Sequence, residues 1–213
     1  MRELSAEQRV WLTRAQEIGF IGPKPVESVY EHALGFAACI DELLRTGLLP
    51  SSFFAADLGS GAGIPGLFLA SWFPDSKFLL VDSMRKRYRF LEEMVVYLRL
   101  QDRVGVYGGR SEECAGLKEY NWAFDLVTAR GFASPSATAE NASGFLRQDG
   151  ILLVSEPPDV SVARWPEAGI GGLGFSSPTY RRFEFSYCWM VKNLKVRGKF
   201  PRGVGVPEKL PLF

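Results

Sequence analysis

Apolar positions recur with the period of a helix in two segments near the start of this 213-residue chain. Residues 3–19 place apolar side chains three and four positions apart, which predicts an amphipathic helix. Residues 26–46 repeat that pattern, and Gly47 follows them where a left-handed residue commonly ends a helix. We therefore expect a pair of helices before any strand.

From residue 53 the period changes, and short apolar runs alternate with helical segments. The predicted strands are 53–58, 77–82, 104–107, 124–129 and 150–155. The predicted helices are 65–73, 85–98 and 135–146, with a short turn after Ser111. Such alternation is typical of a parallel α/β sheet with crossover helices. We divide the chain into a helical extension, residues 1–50, and an α/β domain, residues 51–213.

The pattern changes again near the C-terminus, where residues 173–180 and 182–193 predict two strands joined around Tyr180-Arg181. In the second strand aromatic residues alternate with polar or small ones, as Phe183, Phe185, Tyr187 and Trp189. One sheet face packed on a helix layer explains this stripe better than base stacking does. The tail from Arg197 is rich in proline and glycine, so we expect an irregular segment that drapes over the domain.

One turn carries the strongest chemical signal of the chain. Residues 57–66 read DLGSGAGIPG and connect a predicted strand to a predicted helix. Gly59, Gly61 and Gly63 allow backbone N–H groups and a ligand to approach closely at a helix N-terminus. Asp57 precedes the glycines, and Asp82 ends the next strand, where a carboxylate can accept both hydroxyls of a ribose.

The glycine spacing alone leaves the ligand open, because Gly61, Gly63 and Gly66 also satisfy the dinucleotide fingerprint. An acidic residue beside the turn suits a cationic sulfonium compound with a ribose, such as S-adenosylmethionine, better than it suits a pyrophosphate. We therefore expect S-adenosylmethionine as the cofactor, with Asp57 and Asp82 in its site.

Composition narrows the class of protein. Hydrophobic residues make up 46% of the chain, enough for one globular domain with a sizeable core. The apolar runs are too short for a membrane span, the first residues do not resemble a signal peptide, and the three cysteines lie far apart. We expect a cytoplasmic protein that needs neither a membrane nor a metal ion.

The net charge is only +1, but the charge is unevenly distributed. Residues 181–213 contain eight basic and two acidic side chains. A basic end on a near-neutral protein indicates either a phosphate-binding surface or a solvated edge.

Four blocks of this sequence resemble the glucose-inhibited division protein B family, the bacterial small-subunit ribosomal RNA guanine-N7 methyltransferases. The blocks are the glycine turn at 57–66, VDSMRKRYRFL at 81–91, TARGFAS at 128–134 and FPRGVGVPEKLPL at 200–212. The N-terminal part departs from the family pattern. Only His32 and Leu34 match its R-H-x-L-D-S helix, and Gly35 stands where an aspartate is expected.

The resemblance implies a Rossmann-like, class I S-adenosylmethionine-dependent methyltransferase fold. Its sheet is mostly parallel and seven-stranded, with an antiparallel last strand. The resemblance also implies that Gly59 and Ile64 contact the cofactor and that Ser111 and Glu112 lie along its adenine. It places Arg130 at the mouth of the site, between cofactor and substrate, as the catalytic candidate and as a further cofactor contact. An arginine there can hold a carboxylate or phosphate in a bidentate pair.

The implied partner is ribosomal RNA or the small ribosomal subunit. The candidate RNA contacts are Arg197, Lys199, Arg202 and Lys209. For Arg130, the structural alternative is an ion pair with Asp57 or Glu156.

Guanine N7 methylation needs no general base, because N7 already carries a lone pair. Orientation of N7 against the methyl carbon is therefore the main requirement. Three alternatives stay open from the sequence. They are a methyltransferase of another RNA or small molecule, a non-catalytic RNA- or ribosome-binding module, and a nicotinamide-dependent oxidoreductase.

Overall fold

A computed structural model describes residues 2–158, 164–194, 196 and 200–213. The strands within them are Phe54–Leu58 (β1), Lys77–Val81 (β2), Val104–Tyr107 (β3), Phe124–Ala129 (β4), Leu146–Glu156 (β5), Thr179–Arg182 (β6) and Ser186–Val191 (β7). The helices are Ala6–Glu17 (α1), Val26–Arg45 (α2), Gly66–Trp72 (α3), Arg85–Tyr97 (α4), Ser111–Gly116 (α5), Pro135–Phe145 (α6), Glu167–Gly172 (α7) and Val206–Lys209 (α8).

The seven strands form one sheet in the order β3-β2-β1-β4-β5-β7-β6. The first five strands in the chain pair in parallel, whereas β7 is antiparallel to both β5 and β6. This confirms the expected seven-stranded sheet with an antiparallel last strand. The chain order reverses between β1 and β4, and ligands of such sheets bind beyond the carboxyl ends of the strands at that point.

Helices cover both faces of the sheet and create two hydrophobic clusters. One cluster contains side chains of α1, α2, α3 and α4, and the other contains side chains of α5, α6 and α7. The central strands are buried on both faces, which explains their continuous apolar runs. Helices α1 and α2 thus share a core with the sheet.

Helix α1 is fixed directly to the glycine turn. Ser5 and Gln8 form a capping box at its N-terminus, which satisfies two backbone N–H groups there. Trp11 is fully buried, and its indole Nε1 donates a 2.8 Å hydrogen bond to the carbonyl oxygen of Ala62. The N-terminal extension therefore helps to hold the turn in place.

The aromatic stripe that runs into β7 follows the core interpretation at Tyr187 and Trp189, whereas Phe183 and Phe185 precede the strand and are not buried. Tyr187 and Trp189 are buried in the cluster that includes α2, while Cys188 and Met190 face the opposite cluster. Phe183 is exposed, because it lies in the turn between β6 and β7. The expectation of a turn at Tyr180-Arg181 was wrong, since both residues belong to β6.

Two other expectations need correction. Strand β5 begins at Leu146, not at residue 150, because a bulge lets β4 pair with it earlier. The C-terminal tail contains the short helix α8 and is attached to α6, so it is not wholly irregular. There the Ser136 hydroxyl accepts a 2.7 Å hydrogen bond from the N–H of Leu212. Within the described residues, no helix combines the length and apolar character needed to cross a bilayer.

Candidate cofactor and substrate site

The glycine turn lies at the carboxyl end of β1, directly beside β2. Gly59, Gly61 and Gly63 all have positive φ angles, of 66°, 58° and 92°, a conformation that residues with a Cβ rarely adopt. The N–H groups of Gly59 and Ser60 donate to the carbonyl oxygen of Val81 at 2.9 and 3.1 Å. The turn is therefore held against the end of β2, where Asp82 follows.

Asp82 connects the glycine turn to the start of α4. Its carboxylate accepts hydrogen bonds from the N–H of Gly61 at 2.9 Å and from the N–H of Met84 at 2.8 Å. Arg87 lies 3.9 Å from the same carboxylate. These contacts fix the carboxylate in the wall of a cavity, while its predicted contact with a ribose is untested.

This cavity, which we call the Asp82 cavity, opens at the carboxyl edge of the sheet. It is lined by Gly59, Val81, Asp82, Ser83, Met84, Arg87, Gly109, Arg110, Ser111, Phe132 and Glu208. A Cβ on Gly59 would lie only 2.8 Å from Cδ2 of Phe132, so a glycine is required for Phe132 to close over the turn. The sequence predicted Gly59, Asp82 and Ser111 here but missed Phe132, Arg110 and Glu208.

Other residues of the predicted site lie beneath the turn instead of lining the cavity. Asp57 is buried, and its carboxylate accepts from the Thr128 hydroxyl at 2.7 Å and from the N–H of Gly66 at 3.2 Å. Burial raises the pKa of Asp57 to about 6, although the Thr128 hydroxyl opposes the shift. Gly63 and Ile64 pack in the core near Trp11. These three residues shape the turn from inside, and direct contact with a cofactor stays a prediction for them.

Ser111 and Glu112, at the start of α5, are engaged by neighbouring elements. The Ser111 hydroxyl donates to Oδ1 of Asn141 at 2.8 Å. Glu112 accepts from the N–H of Gly205 at 3.0 Å, which ties α5 to the residue preceding α8. Glu112 thus holds the C-terminal segment beside the Asp82 cavity, while its predicted contact with an adenine is untested.

A second cavity adjoins the first through Phe132, which lines both. We call it the Glu156 cavity. It lies beyond the ends of β4 and β5 and is lined by His32, Ala129, Gly131, Phe132, Ala133, Pro135, Thr138, Val154, Ser155, Glu156, Pro157, Arg164 and Trp165. Glu156 accepts from Nε1 of Trp165 at 2.6 Å and is paired with Arg164 at 2.8 Å. The positive charge of Arg164 therefore balances the buried Glu156 carboxylate in the wall of this cavity.

Arg130 follows β4 and is half-buried at the same edge of the sheet. Its Nη1 lies 3.4 Å from Nδ1 of His32, while its buried Nε makes no hydrogen bond with the described residues. The structural alternative of an ion pair is not seen here, because Glu156 pairs with Arg164 and Asp57 bonds Thr128 and Gly66. Burial lowers the pKa of the Arg130 guanidinium, although the nearby charge of Asp57 opposes the shift. An under-bonded guanidinium is free to bind an anionic or polar ligand.

His32 is held by α2 and by β7. Tyr187 donates a 2.8 Å hydrogen bond to the His32 carbonyl oxygen, and a Cβ on Gly35 would lie 2.2 Å from the Tyr187 hydroxyl oxygen. A side chain at position 35 would displace Tyr187. The glycine that stands there in place of the expected aspartate therefore leaves room for the Tyr187 ring. Burial, together with the Arg130 charge, lowers the pKa of His32 to about 4, so its imidazole is neutral near pH 7.

The basic C-terminal region supplies fewer free cations than its composition indicated. Arg202 donates to both carboxylate oxygens of the buried Glu140 at 2.9 and 2.7 Å, and to the Leu210 carbonyl oxygen at 2.6 Å. Arg181 pairs with Glu42. Lys209 is exposed on α8. Arg197 and Lys199 lie outside the described residues, so their predicted RNA contacts are not addressed by the structure.

The fold has well-defined relatives among solved structures. A protein from Corynebacterium glutamicum superposes with a TM-score of 0.58 at 16% identity, over 93% of this chain and 94% of its own. A predicted O-methyltransferase from Agrobacterium tumefaciens superposes with a TM-score of 0.56 at 17% identity, over 67% of this chain and 75% of its own. The sheet order, the glycine turn and Asp82 at the end of β2 define a class I S-adenosylmethionine-dependent methyltransferase.

The sequence narrows this class to one family. The family model of rRNA small subunit methyltransferase G (GidB) matches residues 5–156, and the chain belongs to this family. A curated relative with that family name from Dictyoglomus thermophilum is 34% identical over 74% of this chain and 68% of its own. Another from Moorella thermoacetica is 36% identical over 77% of this chain and 71% of its own.

Family and fold together make the chain an S-adenosylmethionine-dependent methyltransferase of ribosomal RNA. The Asp82 cavity fits this cofactor, because it combines a carboxylate, a close-packed glycine turn and the aromatic ring of Phe132. When bound, S-adenosylmethionine supplies a methyl group that is already activated for transfer. Among the described residues, no group of three His, Cys, Asp or Glu side chains is arranged to hold a metal ion.

Proposed function

We propose that this methyltransferase modifies N7 of a guanine in small-subunit ribosomal RNA, and that the target base enters the Glu156 cavity. The observation that carries this assignment is the position of Phe132, which lines both the Asp82 cavity and the Glu156 cavity. A base in the second cavity and a cofactor in the first would both lie against Phe132. The two reactants can therefore meet at the carboxyl ends of β1 and β4.

The groups around the Glu156 cavity suit a reaction that needs no proton removed first. His32 is neutral near pH 7, and Glu156 is engaged by Trp165 and Arg164. The N7 lone pair of guanine forms the new bond to the methyl carbon as the bond to sulfur breaks, and the electron pair stays on sulfur. The chain contributes orientation to this transfer, which is an effect of proximity.

Arg130 has the role of holding the RNA beside the target base. Its guanidinium has unused donors next to His32, and a fork of N–H groups matches the oxygens of a phosphate. We assign Arg130 to a phosphate near the target nucleotide and not to acid–base chemistry, because an arginine remains protonated.

The start of α4 is the best-supported surface for the remaining RNA backbone. Arg85, Lys86 and Arg89 are exposed there, and the first turn of α4 contains no acidic residue. Cations at a helix N-terminus oppose the helix dipole, so this arrangement has a local cost that phosphate binding would offset. Lys209 on α8 extends this basic surface. Its neighbour Glu208 lines the Asp82 cavity, which places α8 near the start of α4.

Small-subunit rRNA from a strain that lacks the gene provides the test in cells. We expect mass spectrometry of nuclease digests to show one 7-methylguanosine lost and restored by the wild-type gene. A loss at another base, or at another atom of guanine, would replace this proposal with the alternative of a different RNA target. Treatment of naked rRNA and of assembled small subunits with the purified enzyme then identifies the substrate form. A cytoplasmic location, where such subunits occur, belongs to the same proposal.

A further inference from the structure

A third cavity lies on the other side of His32 and has no role in the site described so far. We call it the Phe185 cavity. His32 lines both it and the Glu156 cavity, so the two are neighbours. The loop between α1 and α2 forms one wall, and the turn between β6 and β7 contributes Phe185.

The chemistry of the Phe185 cavity combines aromatic and cationic groups. Phe20, Ile21, Val29 and Phe185 supply apolar surface, while Lys24 and Arg130 supply positive charge. The described residues that line the cavity include no carboxylate. A nucleotide of single-stranded RNA matches this set, because its base stacks on an aromatic ring and its phosphate pairs with a cation.

Phe185 departs from the core role of the other aromatic residues in its stripe. It is only half-buried, whereas Tyr187 and Trp189 are buried. Its ring packs against the His32 ring at a centroid distance of 4.5 Å and an angle of 60°. His32 thereby holds Phe185 at the boundary between the two cavities.

The position of Arg130 provides a second, independent reason. Arg130 lines the Phe185 cavity, and its Nε is buried without a hydrogen-bond partner among the described residues. The guanidinium is only half-buried, so its accessible N–H groups can pair with a phosphate oxygen in the cavity. Resting on the function proposed above, we propose that the Phe185 cavity binds the nucleotide adjacent to the target guanine, with its base on Phe185 and its phosphate at Arg130 and Lys24.

The experiment uses a fragment of small-subunit rRNA that contains the methylated guanine. Two further versions carry an abasic site immediately 5′ or 3′ of that guanine. We expect one of the two abasic sites to weaken RNA binding to the wild-type enzyme by roughly tenfold, as the loss of one base–aromatic stack does. Fluorescence anisotropy of the labelled RNA measures this directly, without turnover.

The variants locate the effect. Phe185→Leu keeps an apolar side chain but removes the ring face, so it should bind the intact and abasic RNAs equally. Phe183→Ala is the matched control, because Phe183 is an exposed aromatic residue of the same turn and does not line the cavity. This control should retain the wild-type tenfold difference, and S-adenosylmethionine affinity should be unchanged in both variants.

Three results would overturn the subsite. They are equal binding of all three RNAs by the wild type, a full abasic effect in Phe185→Leu, or a Phe185→Leu defect confined to assembled subunits. The last result would assign the cavity to a ribosomal protein. A wild type that transfers no methyl group to this RNA would instead contradict the proposed function, while the anisotropy arm would still decide the subsite.

Discussion

At the scale of single residues, Asp82 is the side chain that joins the glycine turn to the Asp82 cavity. Asp82→Ala removes a carboxylate that can accept charged hydrogen bonds from a ribose, each contributing about 1.5–3 kcal/mol. We expect S-adenosylmethionine affinity to fall by about 10- to 100-fold, as measured by isothermal titration calorimetry. Asp75→Ala is the control, because Asp75 is an exposed residue before β2, at the other end of that strand. Equal affinities in the two variants would refute the assignment of the Asp82 cavity.

Arg130 is expected to act on RNA and not on the cofactor. Arg130→Ala should lower the rate of methyl transfer by on the order of 100-fold while cofactor affinity stays the same, because it removes a charge-assisted pair to phosphate. Arg130→Lys should rescue poorly, since an ammonium group lacks the planar fork. Single-turnover assays with tritiated cofactor provide the rates. Near-wild-type rates in both variants would leave Arg130 with a structural role only.

The chain contains one histidine, so the protonation of His32 can be followed without ambiguity. Because burial and Arg130 lower its pKa to about 4, the imidazole signal in a nuclear magnetic resonance titration should remain that of the neutral form down to about pH 5. The unfolded chain takes up this proton near pH 6.5, so His32 destabilises the fold as pH falls from about 6.5 through 4. Arg130→Ala should raise the pH at which His32 is half-protonated. A midpoint near 6.5 in the wild type would contradict the buried site.

At the scale of elements, one ion pair with a buried carboxylate adds to the hydrogen bonds that attach the C-terminal segment to the domain. Arg202 and Glu140 join this segment to α6, and the Glu140 side chain is fully buried. Arg202→Ala leaves that carboxylate without its cation and should cost on the order of 3 kcal/mol of unfolding free energy. Lys209→Ala, at an exposed position of the same segment, should change stability by less than about 0.5 kcal/mol.

Urea denaturation measures both variants, and the salt dependence of RNA binding separates stability from contact. Lys209→Ala should make the salt slope shallower by roughly one unit if Lys209 binds phosphate. The slope of Arg202→Ala should stay near that of the wild type under conditions where it is folded. If Arg202→Ala is stable and its RNA affinity depends less steeply on salt, Arg202 contacts RNA.

The elements were predictable where local pattern decided them. Strands β1 to β4 and helices α2, α3 and α4 agree with the sequence to within one or two residues. The central strands are continuous apolar runs, and the helices follow the helical period. The turn between β6 and β7 was predicted too early in the chain. Neither Tyr180 nor Arg181 is a residue typical of turns, but both follow a run of glycine, serine and proline. The position of Phe183 beyond the sheet becomes clear only from the pairing of Arg182 with Ser186.

At the scale of the whole molecule, the site is an edge of the sheet where distant parts of the chain meet. The glycine turn and Asp82 could be found from the sequence because one strand–turn–helix unit contains their signal. Phe132 and Glu208 could not be assigned in this way. They reach the Asp82 cavity from β4 and from the C-terminal segment, through contacts that depend on tertiary packing. The pairing of Arg202 could not be predicted for the same reason, since its partner Glu140 lies 62 residues away.

The most direct test of the account is methyl transfer by the purified enzyme to small-subunit rRNA from a strain that lacks the gene. With tritiated S-adenosylmethionine in excess, we expect about one methyl group per RNA, recovered as 7-methylguanosine after nuclease digestion. Over the time in which the wild type just completes transfer, Arg130→Ala should transfer on the order of 100-fold more slowly, whereas Asp75→Ala should keep the wild-type rate. Recovery of the label in another nucleoside, or full transfer by Arg130→Ala, would contradict the site and the reaction assigned to it.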